Sequence, residues 1–286
     1  MIGHDLDNKP GPCSIRKSPR RSGHAFTLIE LLVVIALIVI LASLIFPVNR
    51  PVRRGAPKKR AQMEEMQIAA AIQCYESECG KFPVSSSAMS VAANSGQDFT
   101  FGTSGLPHGL KTPGGNYDVR ALDTDGKPLS YQANNSEVMA VLLDVEAWPT
   151  TPPVPTINQG HGMNPHKTRY LNAVRASDTV SAGVGSDGVY RDPWGQPYII
   201  TIDLNKDGKA RDAFYRAPGI SADQSDTNAL KRGLDGLIAT VVGGKTFYEA
   251  SAVVMVWSAG PDKQVAPRPG TIGTAGANRD NVLSCR

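Results

Sequence analysis

Two kinds of residue in this chain are placed to do chemistry. The first is a carboxylate in an apolar setting: Glu30 is the sole strongly polar residue of 26–46, FTLIELLVVIALIVILASLIF. A carboxylate that shallow in a lipid-embedded helix costs a few kcal/mol unless it is paired, so it is a functional residue by default. The second kind is an oxygen-rich turn. Asp203-Leu204-Asn205-Lys206-Asp207-Gly208 has the D-x-N-x-D-G order that opens a calcium loop. The twelfth position of such a loop should be a bidentate Glu and here is Phe214, which rejects an EF-hand. A β-turn is the preferred reading, with a looser calcium loop left open. Asp123-Thr124-Asp125-Gly126 is a turn of the same kind.

Catalytic constellations are missing. The chain has no G-x-S-x-G, no H-E-x-x-H and no C-x-x-C. Gly183-Val184-Gly185-Ser186-Asp187-Gly188 satisfies G-x-G-x-x-G, but no strand precedes it, no helix follows, and Asp187 repels phosphate. His108, His161 and His166 fall in loops without acids close in sequence. A metal pair of His161 and His166 is the weaker reading beside plain loop histidines. No Ser or Cys has a partnered His, so no enzyme is expected. Cys74 and Cys79 share a helix, and a bridge between them or to Cys285 would need an oxidising compartment.

These residues must be positioned by three kinds of element. The run 26–46 would form a helix of about 31 Å, close to the hydrocarbon thickness of a bilayer. Its many β-branched residues favour a strand in water, yet a lone strand in lipid leaves its backbone unsatisfied. Charge is distributed around that run. Residues 1–25 carry a net +3 and residues 50–60 a net +6, while everything from Ala61 onward sums to −4. A basic surface for nucleic acid is therefore excluded, because the positive charge flanks one short hydrophobic stretch. Pro47, Pro51, Gly55 and Pro57 predict an interrupted connector over 47–57. From Lys58 to Cys79 helical periodicity returns, with Ile68, Ile72, Tyr75 and Cys79 on one face.

Beyond Pro83 the chain is loop-rich, in keeping with 28 Gly and 21 Pro. Residues 84–135 are polar and aperiodic and read as a long irregular insertion, with room for short strands. Ser136 is a candidate cap for a helix over 137–145, and residues 149–168 form a Pro/Asn/His-rich loop. Strand candidates are 198–204, 236–242 and 252–257. Strands do not alternate with long helices, so the fold class is α+β: a long N-terminal helix packed on a small antiparallel sheet with large loops.

The N-terminal residues Ala25-Phe26-Thr27-Leu28-Ile29-Glu30-Leu31-Leu32-Val33-Val34-Ile35-Ala36 resemble the signature of type IV pilins and type II secretion pseudopilins. In that family a prepilin peptidase removes a basic leader before the Phe, the new N-terminus is methylated, and the fifth mature residue is Glu. The resemblance implies cleavage between Ala25 and Phe26, N-methylation of Phe26, Glu30 at mature position five and Pro47 at mature position 22. The family usually has Gly before the cut; cleavage after Gly23 would spoil both registers, so Ala25 stands in for Gly. The implied role of Glu30 is to meet the Phe26 amine of a neighbouring subunit in a filament. Organisation follows as leader 1–25, transmembrane and filament-core helix 26–46, connector 47–57 and periplasmic globular domain 58–286.

Three further segments carry the resemblance. Residues 71–83, AIQCYESECGKFP, are similar to a pseudopilin helix ending; Asp192-Pro193-Trp194-Gly195-Gln196-Pro197-Tyr198 is similar to the D-P-W-G-x-P-Y of the major pseudopilin. Trp257-Ser258-Ala259-Gly260-Pro261-Asp262 and Asn278-Arg279-Asp280-Asn281-Val282 resemble its S-x-G-x-D-G segment and acidic ending. There the resemblance implies calcium, with Asp262 and Asp280 as ligands, although Lys263 replaces a Gly. A solvated loop closed by hydrogen bonds is the alternative. The function implied is structural: a subunit of a type II secretion pseudopilus. Its expected partners are the membrane (single pass, N-terminus cytoplasmic), other pseudopilins, prepilin peptidase and the inner-membrane assembly platform. The alternatives are a minor type IV pilin or DNA-uptake subunit, and a binding or enzymatic domain on a pilin-type anchor.

Overall fold

The computed structural model describes residues 27–45, 49–107, 109–267 and 276–285. The chain divides into two units, Met1–Arg50 and Pro51–Arg286. That boundary falls inside the connector expected over 47–57.

In the first unit, helix α1 spans Leu28–Ile45, 18 residues. It is apolar on every side, and its described side chains are exposed from Leu28 to Leu41. At 1.5 Å per residue it is about 27 Å long, against about 30 Å of hydrocarbon. No helix among the described residues is long and apolar enough to cross a membrane. The apolar run of the sequence continues past α1 at both ends; Ala25, Phe26 and Pro47 lie outside the described residues.

The second unit holds most of α2 (Asn49–Cys79), then α3 (Ser86–Ser95), β1 (Phe99–Phe101), β2 (Leu110–Thr112), β3 (Gly115–Tyr117) and α4 (Ser136–Leu142). There follow β4 (Ala147–Trp148), β5 (Val154–Pro155), β6 (Gly183–Val184), β7 (Tyr190–Arg191) and β8 (Ile199–Ile202). The chain ends with α5 (Pro218–Ser221), β9 (Leu237–Val242), β10 (Lys245–Ala250), β11 (Val254–Ser258) and β12 (Val282–Leu283). The α+β class is as the sequence implies. The interruption expected over 47–57 is helical from Asn49 onward, with Pro57 inside α2. Pro51 stands in the first turn, where backbone N–H groups lack intrahelical partners anyway, so only Pro57 removes an interior bond.

The predicted stripe on α2 is real: Ile68, Ile72 and Tyr75 are fully buried and Cys79 partly so. Tyrosine hydroxyls fasten the helix to the rest of the unit. Tyr198 donates to Glu64 Oε2 at 2.6 Å, Tyr75 donates to the Met163 carbonyl at 2.5 Å, and Tyr170 donates to Glu78 Oε2 at 2.7 Å.

The central sheet is antiparallel with order β1-β8-β11-β12. Alternation sorts its side chains onto two cores. Ile200, Ile202, Val254 and Val256 join α2 and α4 on one face, whereas Ile199, Met255 and Trp257 meet Phe214, Tyr215, Leu237 and Tyr248 on the other. A sheet buried on both faces explains why β8 and β11 read as unbroken apolar runs. Four elements inside the expected irregular insertion are regular: α3, β1, β2 and β3. Helix α3 has Ser85 as N-cap, accepting from the Ala88 N–H at 3.2 Å, and left-handed Gly96 as C-cap. Strand β1 forms an edge of the central sheet. At α4 the cap differs from expectation: Ser136 is the first helical residue, and Asn134 Oδ1 accepts its N–H at 2.9 Å.

Candidate functional site

The N-terminal candidate is Glu30. Thr27 donates to its Oε2 through both the backbone N–H and the hydroxyl, each at 2.9 Å, and the Glu30 N–H reaches back to Thr27 Oγ1 at 3.4 Å. This is a capping box at the start of α1: Thr27 and Glu30 satisfy one another's orphan groups, and the carboxylate sits at the positive end of the helix dipole. The carboxylate treated in sequence as waiting for a partner thus has a local one, and T-x-x-E before an apolar run was the signal for it. Phe26, whose amine is the implied intermolecular partner, lies outside the described residues, as do the processing residue Ala25 and Pro47.

The C-terminal candidate is built on two turns. Asp192 is fully buried; its Oδ1 accepts the N–H groups of Trp194 at 2.9 Å and Gln196 at 2.8 Å. Its Oδ2 accepts the Ser258 hydroxyl at 2.5 Å, and the Gly260 N–H donates to Ser258 Oγ at 3.0 Å. Burial pushes the Asp192 carboxyl up to about 6, against the pull of those donors. The D-P-W-G turn and the S-A-G-P-D turn, far apart in sequence, are therefore one hydrogen-bonded unit. Trp194 is half-buried and belongs to neither core, whereas Tyr198 of the same segment is fully buried.

Asp262 and Asp280 come together here. Burial first, then the neighbouring charge of Asp280, raises the Asp262 carboxyl, while the Gln264 N–H donates to its Oδ1 at 2.9 Å. Gly260 has φ +71° and lies so close to Asp280 that a Cβ would fall 2.2 Å from its carbonyl oxygen. Asn278 clasps Ala266 on both sides, accepting its N–H at 2.8 Å and donating to its carbonyl at 3.1 Å. Next along the chain, Asn281 is fully buried and its Oδ1 has no hydrogen-bond partner. Two carboxylates and a free amide oxygen suit calcium in kind but not in number, since calcium takes six to eight oxygens. Among the described residues, no three His, Cys, Asp or Glu side chains are grouped to hold a metal.

The third candidate, Asp203-Asn205-Asp207, folds as a tight turn. Asp203 accepts the N–H groups of Asp207 at 3.2 Å and Gly208 at 2.8 Å. Asn205 accepts from Asp207 at 3.0 Å and Asp207 from Lys209 at 3.0 Å. Packed near this turn is Asp98, buried just ahead of β1, which no sequence signal marks because it lies roughly a hundred residues upstream. Among the histidines, His108 lies outside the described residues. His161 does have acids nearby in space, with Nδ1 2.8 Å from Asp144 Oδ1 and Nε2 3.1 Å from Glu146 Oε1. Both carboxylates lie in the turn between α4 and β4, brought there by the fold. In the G-x-G-x-x-G segment, Asp187 pairs with Arg191 at 2.6 Å. Cys74, Cys79 and Cys285 are free thiols.

Residues 20–46 match a family model described as a prokaryotic N-terminal methylation motif. The chain thus carries a type IV pilin-like prepilin signal, which implies processing by a prepilin peptidase and polymerisation of the pilus type. The match leaves residues 47–286 uncovered. No curated protein and no solved structure matches the chain.

Proposed function

We propose that this chain is a pseudopilin, a structural subunit of a type II secretion pseudopilus. The observation that carries the reading is the Asp192–Ser258 hydrogen bond at 2.5 Å. It joins the two segments that resemble the major pseudopilin into one unit, alongside a prepilin signal at the other end of the chain. The peptidase cuts between Ala25 and Phe26 and methylates Phe26, leaving the apolar run as a single-pass inner-membrane anchor with the C-terminal unit in the periplasm. On assembly the apolar helices leave the bilayer and bundle. Glu30 then exchanges its Thr27 cap, or shares it, with the Phe26 amine of the next subunit; a charge pair in low dielectric is strong only when both partners are present. Calcium at Asp262 and Asp280, with Asn281 Oδ1 as a further oxygen, would need backbone carbonyls and water to complete its shell, and would then hold the last turn in shape.

N-terminal mass spectrometry with and without the prepilin peptidase tests the processing step. The expected mature start is N-methyl-Phe26, and a retained leader would sink the proposal. Filament preparation from cells expressing the secretion machinery tests the pseudopilus itself. Glu30→Ala should insert in the membrane yet enter filaments at less than a tenth of the wild-type level. Incorporation equal to wild type would rule out the pairing.

A further inference from the structure

We propose that the cleft between the 122–126 turn, α5 and β10 binds a small organic carboxylate. The Arg216 guanidinium takes the carboxylate, and apolar walls take the body of the ligand. The proposal stands on the charge and lining of this cleft and not on the pseudopilin reading.

The cleft has a volume of about 470 Å³, the size of a small-molecule site. Tyr117, Leu122, Pro218 and Phe247 give it apolar walls, and Arg216 and Lys245 are its two cations. Its walls are fixed by packing and pairing. Phe214, also in the lining, is buried with its ring edge-on to Tyr117 and Tyr215. Phe247 lies on β10, where its partner in the hairpin is Thr240 of β9. Walls of this kind favour an organic body over a bare inorganic anion.

Charge singles out Arg216. It is 6% exposed, and its guanidinium donates to two carbonyls, that of Asp123 at 2.8 Å and that of Thr124 at 3.2 Å. Among the described residues no carboxylate forms an ion pair with it. Each nearby acid is committed elsewhere. Asp123 Oδ1 accepts the Asp125 and Lys127 N–H groups within its own turn. Asp125 holds Lys245 at 2.8 Å, and Glu249 holds Arg211. Asp212 is spent on the Phe214 and Tyr215 N–H groups, Thr201 and Trp257. Arg211 adds to the imbalance, since its Cζ stands 4.8 Å from the centre of the Phe247 ring and that of Arg216 4.7 Å from the same ring. Burial, then the like charge of Arg211, lowers the Arg216 pKa from its ordinary value, against the pull of Asp123 and Asp212. A buried charge without a counter-charge is costly to a fold. A ligand carboxylate supplies the counter-charge, in the paired geometry that a guanidinium favours, and the two carbonyls leave N–H donors free to receive it.

Titration of the full chain with phenylpropionate in nonionic micelles, by calorimetry and by thermal unfolding, decides the matter, with micelles alone as the blank. Phenylpropanol, the same body without the charge, is the control ligand. Wild type, Arg216→Gln and Thr246→Trp are compared. Phenylpropionate should bind the wild type at least tenfold more tightly than the alcohol and raise its Tm. Arg216→Gln should bind the acid at least tenfold more weakly than wild type and lose the preference for it over the alcohol. Thr246 lines the cleft from β10 and is half-buried. Thr246→Trp fills the cleft while keeping Arg216, so it should abolish binding of both compounds, and it decides the question if Arg216→Gln does not fold. No binding to the wild type up to about 10 mM, equal binding of acid and alcohol, or undiminished binding of the acid in either folded variant would each overturn the proposal.

Discussion

Asp212 and Asp98 lie on either side of the same corner of the molecule, equally buried and very differently served. Asp212 receives four hydrogen bonds, two from backbone amides, one from Thr201 and one from Trp257. Asp98 receives one, has an orphan oxygen, and faces two further acids. Asp192, in the turn that resembles the pseudopilins, falls on the Asp212 side with three donors. The difference separates two uses of a buried carboxylate. One closes a turn and locks segments together; the other is held against its own desolvation, with an oxygen left unpartnered.

Mutation can break or sharpen that contrast. The largest effect is expected at Asp212→Ala, which strands four donors at once and should cost about 4 kcal/mol in chemical denaturation of the folded unit. Asp192→Ala should cost about 3 kcal/mol and detach the Ser258 turn from the Trp194 turn, visible as faster amide exchange at Trp194 and Gln196. At Asp98 the sign reverses. Its raised carboxyl holds a proton more tightly in the folded state than in the unfolded chain, so ionisation weakens the fold progressively from about pH 4 to about pH 7. Asp98→Asn should therefore stabilise the protein by about 1 kcal/mol or more at pH 8, with no gain at pH 4. A flat difference across that range would show that the two aspartates do not differ in kind. The smallest effect is expected at Thr27→Val, which removes the α1 cap and should cost that helix about 1 kcal/mol, read as faster amide exchange over residues 28–31.

What could be read in advance follows the same division between local and long-range causes. The α2 stripe, the cores of β8 and β11 and the turn character of 203–208 were legible because periodicity and turn chemistry act over a few neighbours. Strand β10 was missed although Gly243-Gly244, both at positive φ, joins it to β9 as a two-residue hairpin. Helix α3 was missed because Ser-Ser-Ala-Met-Ser-Val-Ala-Ala-Asn-Ser buries little beyond Ala88 and Ala92, leaving its two caps as the sole signal. Strand β1 is only three residues long, and its place depends on pairing with β8. The tie of Asp192 to Ser258 and the approach of Asp98 to the 203–208 loop exist only once the central sheet has formed. No window of sequence contains both partners.

The tyrosine hydroxyl bonds along α2 have a mechanical meaning. Glu64, Tyr75 and Glu78 are fastened at points spread over about 21 Å of helix. A pull along the α2 axis must load all three together, as a lap joint in shear, with the Ile68–Ile72 stripe resisting as well. A pull across the axis would open them one at a time, like a zip. The fold of the second unit is thus far tougher along its main helix than across it.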